Sequence, residues 1–108
     1  MDFNTYEQHA ASTAIYPNRG SNLPYAVLGL AGETGEVAEK VKKLLRGDRV
    51  MDDDYRQLIK KELGDVLWYI AAVCHETGLS MDEVAEANVR KLASRKERGL
   101  LHGEGDNR

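Results

Sequence analysis

Two stretches decide the fold: residues 23–46, LPYAVLGLAGETGEVAEKVKKLLR, and residues 55–74, YRQLIKKELGDVLWYIAAVC. In the first, Val27, Leu30, Val37, Val41, Leu44 and Leu45 recur at helical spacing; in the second, Tyr55, Leu58, Ile59, Leu63, Val66, Leu67, Ile70, Val73 and Cys74 do the same. Alternating polar and apolar runs bounded by turn residues are missing, so no strand is predicted. The fold class is all-α, a four-helix bundle-like protomer. Pro24 suits the first turn of the first long helix and Gly47 its stop, with Lys40, Lys42, Lys43 and Arg46 where the helix dipole favours cations. Asp52, Asp53 and Asp54 suit the start of the second, and Gly78 its end.

Working outward, Ser80 followed by Glu83 has the form of a capping box and opens a further helix that carries Val84, Val89 and Leu92 and ends near Gly99. Upstream, a shorter helix over about Asp2 to Ile15 precedes a turn-rich loop with Pro17, Asn18, Gly20, Ser21 and Asn22. Residues 1–108 read as one domain, with 99–108, GLLHGEGDNR, a flexible C-terminal tail.

Composition narrows the function. With 42% hydrophobic and 31% charged residues the chain is ordinary globular material. A net charge of −3 gives no general attraction to phosphate backbones, so no nucleic-acid polymer is expected as partner. The lone Cys74 lies in an apolar run and reads as a buried free thiol of a reducing compartment. The N-terminus has neither a basic region nor a continuous apolar region, and Val66 to Cys74 is far short of the roughly 20 residues a membrane helix needs. A cytoplasmic location and no membrane partner are therefore expected.

The chemistry lies in two carboxylate pairs. Glu33 and Glu36 are three apart on the first long helix, and Glu62 and Asp65 three apart on the second, so each pair projects from one helical face at the border of its apolar stripe. If the two helices pack antiparallel through those stripes, four carboxylates converge at the edge of the interface, which cations must neutralise. Oxygen-only ligands suit Mg²⁺, with Mn²⁺ as a substitute; zinc calls for His or Cys, and none of His9, His75 and His102 stands three residues after a Glu as a di-iron site requires. Acidic pairs at this spacing are also ordinary solvated decoration, as Glu36 with Glu39 and Glu83 with Glu86 illustrate. The matched position of both pairs favours the metal reading. Gly29, Gly32 and Gly35 interrupt the same helix at about 1 kcal/mol each against alanine, as expected where a helix or ligand comes close to that backbone.

These residues resemble the MazG-like family of all-α nucleoside triphosphate pyrophosphohydrolases. GLAGETGEVAEKVKKLLRGD followed by KKELGDVLWYIAAV is similar to its paired EXXE and EXXD motif, with 25 residues between Glu36 and Glu62, and the ending ANVRKLASRKERG resembles short single-domain members, viral ones among them. The resemblance covers about Tyr25 to Arg98. It implies Mg²⁺-dependent cleavage of an NTP or dNTP to the monophosphate and pyrophosphate, with Glu33, Glu36, Glu62 and Asp65 as metal ligands. Cleavage at the α phosphorus requires neutralised polyphosphate charge and an activated water. Glu36 is assigned to help deprotonate that water, with Glu33 beside it in the catalytic pair.

Lys91 and Arg95 match basic positions near the family's C-terminal motif and are expected on phosphate, with Asn88 one turn before Lys91. Tyr69, one turn beyond Asp65, is a further substrate candidate, as are Asn107 and Arg108 if the tail closes over nucleotide. Trp68, on the polar side of its helix, is assigned to a subunit interface in preference to a base. Two helices of roughly 24 residues are each about 36 Å long, large for a protomer of this size, so a homodimer or homotetramer is expected, as the resemblance also implies. The competing readings are a non-catalytic helical interaction module, which gives no reason for the matched carboxylates, and a nucleic-acid binder using Arg90, Lys91, Arg95, Lys96 and Arg98, whose polymer the carboxylates would repel.

Overall fold

The computed structural model describes all of residues 1–108 and contains four helices and no strands: α1 (Phe3–Ser12), α2 (Leu23–Leu45), α3 (Asp53–Thr77) and α4 (Met81–Glu97). Each begins on a side-chain cap that accepts from the backbone N–H three residues on: Asp2 from Thr5, Asn22 from Tyr25, Asp52 from Tyr55 and Ser80 from Glu83. Such a cap contributes about 1 kcal/mol. Gly78 closes α3 in the left-handed conformation, φ 72°. The first helix is shorter than its sequence suggested, ending at Ser12, because Thr13 turns its hydroxyl back onto the Ala10 carbonyl. The expected capping box on α4 is half present: Ser80 caps Glu83, while the Met81 N–H donates to the carboxylate of Glu7 on α1, 2.6 Å away.

The antiparallel α2–α3 hairpin forms the main packing unit, and α1 lies against the C-terminal half of α3. The fourth helix packs on α1 and α3 but not on α2. Two small clusters make the core: Ala10, Ala71, Cys74 and Met81 between α1, α3 and α4, and Tyr16, Ala26 and Ala72 where α2 begins. The Cys74 thiol is buried and free. Glu76 pins the loop before α2, its Oε1 accepting from the backbone N–H groups of Gly20 and Asn22 at 3.1 and 3.0 Å.

Register between the long helices is set in part by Tyr55, 1% exposed, whose hydroxyl donates to the Lys40 carbonyl at 2.6 Å. Arg49 covers its ring, the guanidinium 4.5 Å from the centroid. Trp68, assigned from the sequence to a subunit interface, makes its contacts here within the protomer: it is half-buried, its indole N–H donates to Thr13 Oγ1 at 2.9 Å, and its ring meets Tyr16 and Tyr69 edge-on. The face of α3 that α1 covers carries Leu67, Trp68, Ile70, Ala71 and Cys74.

The protomer hides little of itself. Its accessible surface is 7730 Å², against about 6000 Å² for a folded monomer of 12.1 kDa. Its radius of gyration is 16.7 Å, against roughly 13 Å for a compact domain of this length. Leu23, Val27, Val41 and Leu45 share one exposed face of α2. No helix is long and apolar enough to cross a membrane.

Candidate metal centre

The hairpin brings both carboxylate motifs to the same level. Oxygen atoms of Glu33, Glu62 and Asp65 all lie within 4.8 Å of one another, Glu33 and Glu62 half-buried and Asp65 exposed at the rim. Glu36, the fourth member of the sequence set, is exposed and stands outside this three-carboxylate group, although its charge is felt at Glu33. Burial first, and then the charges of Asp65, Glu62 and Glu36, push the Glu33 carboxyl above its ordinary range. Converging carboxylate oxygens are what a hard divalent cation neutralises, so the donor set fits such an ion.

Around the carboxylates the helices supply a specific frame. Lys40, two turns after Glu33, reaches across to Glu62, Nζ to Oε1 3.5 Å, with the two side chains only 20% and 19% exposed. Tyr69 lies over Gly29: a Cβ built on that glycine would sit 2.0 Å from Tyr69 Cε1, which explains one of the three helix-breaking glycines. A Cβ built on Gly32 or Gly35 would meet nothing within 4 Å beyond its own helix, so no close approach accounts for these two. Burial raises the Tyr69 phenol first, Tyr25 adds to the shift, and Glu33 and Asp65 contribute further. On α1, Tyr6 is raised by burial and then by Asp65, so the short helix also borders the site. Tyr25 extends the aromatic group, its ring stacked on Tyr16 with centroids 4.8 Å apart. Sequence reasoning missed Lys40, Tyr6 and Tyr25, since their relation to the carboxylates depends on how helices pack.

The basic candidates are occupied by the chain itself. Lys91 Nζ lies 3.1 Å from Asp106 Oδ1, and the buried Arg95 donates to the Asp106 carbonyl at 2.5 Å. Lys91 first, then Arg95, hold the Asp106 carboxyl below its ordinary range. Asn88 is exposed on α4. Residues 99–108 fold back as a turn-rich loop, with the Arg108 guanidinium donating to the carbonyls of Leu100, Leu101 and Gly105 at 3.0, 2.8 and 2.7 Å. Arg98 donates to the Arg108 carbonyl. In this arrangement Arg108 clasps its own loop, and Asn107 is exposed beside it.

The comparisons with known proteins agree with this geometry. The model of the MazG nucleotide pyrophosphohydrolase domain matches residues 24–100, a span that includes all four motif carboxylates together with Lys91 and Arg95. Over 114 aligned residues covering the whole of both chains, the protein is 43% identical to the "Gene 37 protein" of Mycobacterium phage L5. No solved structure matches. On the family match and the convergent carboxylates of α2 and α3, the chain belongs to the MazG nucleotide pyrophosphohydrolase domain family.

Proposed function

We propose that the protein is a Mg²⁺-dependent pyrophosphohydrolase that cleaves an NTP or dNTP between the α and β phosphates. The observation that carries this reading is the meeting of Glu33, Glu62 and Asp65 oxygens within 4.8 Å in a chain of this family. Glu33, Glu36, Glu62 and Asp65 would hold Mg²⁺ or Mn²⁺, which when bound neutralises polyphosphate charge and makes water more acidic. In this reading Glu36 accepts the proton of the water that attacks the α phosphorus. The bond to the bridging oxygen breaks, and pyrophosphate leaves. Lys91 and Arg95 hold phosphate oxygens, exchanging Asp106 for the substrate anion. Tyr69 supports the wall of the site next to Glu33.

Self-association belongs to the same proposal. The exposed apolar face of α2 and the large protomer surface favour a homodimer or homotetramer, since contiguous exposed apolar residues mark association surfaces.

The test is a panel of canonical and modified NTPs and dNTPs incubated with Mg²⁺, with products separated and identified. The expected products are the nucleoside monophosphate and pyrophosphate. Release of diphosphate and inorganic phosphate, or undiminished turnover in excess EDTA, would refute the reading.

A further inference from the structure

Lys40 is the cation that enters the carboxylate group from within the fold. It stands one turn beyond Glu36, and its ammonium pairs with Glu62 on the opposite helix at 3.5 Å. Unlike the exposed pairs on this chain, such as Lys42 with Glu39, the Lys40 pair joins two helices and is mostly shielded from solvent. Its backbone is held independently: the Lys40 carbonyl accepts from buried Tyr55, so the root of the side chain is fixed relative to α3. The ammonium is thereby held beside one of the three carboxylates that meet.

A fixed positive charge here has two physical effects. It holds the Glu62 carboxylate when no other cation is present, and it repels any divalent ion that approaches the same oxygens. Counting the flanking Glu36, the motif carboxylates carry four negative charges, and Lys40 reduces the total to three. Any divalent ions bound there would therefore face a polyphosphate with one more net positive charge than they would without Lys40.

Building on the pyrophosphohydrolase reading above, we infer that Lys40 is a positioning residue that keeps Glu62 in place and weakens binding of free divalent metal, so that metal is held tightly only together with the polyphosphate. Metal and nucleotide therefore bind synergistically, and the synergy depends on the charge at residue 40.

The experiment measures Mn²⁺ binding to the full chain by electron paramagnetic resonance, with and without a non-hydrolysable nucleoside triphosphate, in wild type, Lys40→Met and Lys40→Arg. Methionine keeps much of the apolar stem and leaves the Tyr55 bond to the backbone intact. Without nucleotide, Lys40→Met is expected to bind Mn²⁺ roughly three- to tenfold more tightly, with Lys40→Arg close to wild type. The enhancement of Mn²⁺ affinity by nucleotide should shrink in Lys40→Met by a similar factor and be restored in Lys40→Arg. Equal Mn²⁺ affinity in wild type and Lys40→Met, or weaker binding in the variant, would overturn the inference. Should Lys40→Met fail to fold, Lys40→Gln carries the same comparison. Absence of Mn²⁺ binding in wild type itself would instead refute the pyrophosphohydrolase reading on which the inference rests.

Discussion

The Tyr69 ring occupies the space where a side chain on Gly29 would begin, so that α3 and α2 approach more closely there than any other residue would allow. Gly29→Ala is expected to lose about 1–3 kcal/mol of stability, because the clash outweighs the helix propensity gained. Tyr69 would also be displaced beside Glu33. Gly32→Ala and Gly35→Ala, in open space, are expected to gain up to about 1 kcal/mol each. Chemical denaturation of the three variants checks the contrast, and equal effects at all three positions would contradict it.

Asp65→Asn and Glu36→Gln are expected to lower hydrolysis by at least about a hundredfold while the helical circular dichroism persists. Asp65 is a member of the convergent group and Glu36 flanks it, so Asp65→Asn removes a central oxygen ligand, whereas Glu36→Gln removes the base together with an outer ligand. Mn²⁺ binding should fall strongly in Asp65→Asn and less in Glu36→Gln.

The Glu33 carboxyl is raised in the folded state, so in the absence of metal its contribution to stability is present below its unfolded value and is lost as pH rises through the folded one. In EDTA at neutral pH, Glu33→Gln is therefore expected to melt a few degrees above wild type, with the difference vanishing under acid conditions where both carry a neutral side chain. Thermal melts across pH decide it. A variant less stable than wild type at neutral pH would reverse the sign.

Asp106→Asn, which removes the charge facing Lys91 and Arg95 but keeps the backbone bond to Arg95, is expected to ease the exchange of Lys91 onto phosphate and to lower KM, whereas truncation after Leu100 removes the whole clasp, frees Arg95 as well and should also loosen the end of α4. Hydrogen exchange of α4 and steady-state kinetics, measured on both variants, distinguish release of the anion from fraying of the helix. Unchanged KM in both would exclude the C-terminal loop from substrate binding.

Light scattering at micromolar concentration is expected to show an oligomer, and Leu45→Asp, at a residue 84% exposed in the protomer, to shift it toward smaller species. A 12 kDa species in the wild type would oppose self-association.

Much of this was legible in the sequence for a simple reason. The carboxylate motifs are local, three residues apart on helices, and their matched place beside apolar stripes survives any reasonable antiparallel packing. Helix starts were legible because Pro24, the acidic run Asp52 to Asp54 and Ser80 act within the first turn of the helix they open; that Asn22 and Asp52 also cap the backbone three residues on came from the structure. What was hidden depends on distant partners. The contacts of Trp68 with Thr13 and Tyr16 were hidden because the position of α1 and the loop after it leaves no mark in the periodicity of α3. The pairing of Lys40 with Glu62, the cap that Glu7 places on α4, and the hold of Glu76 on the loop before α2 join residues far apart in the chain, so spacing within one helix carries no trace of them.

Tyr55 has a consequence for how this architecture tolerates change. Because its hydroxyl grips the main chain at Lys40, the two carboxylate motifs are aligned by a contact inside the hairpin, and the turn that joins the helices carries little of that duty. Insertion within residues 46–52 is therefore cheap where it spares Arg49 over the Tyr55 ring and the Asp52 cap: lengthening a surface connector costs only slowly growing closure entropy. A chain with extra residues spliced in there should still bring Glu33 and Glu62 to the same height, whereas Tyr55→Phe leaves the connector untouched and loosens the register, which Tyr69 over Gly29 and Lys40 with Glu62 then hold alone.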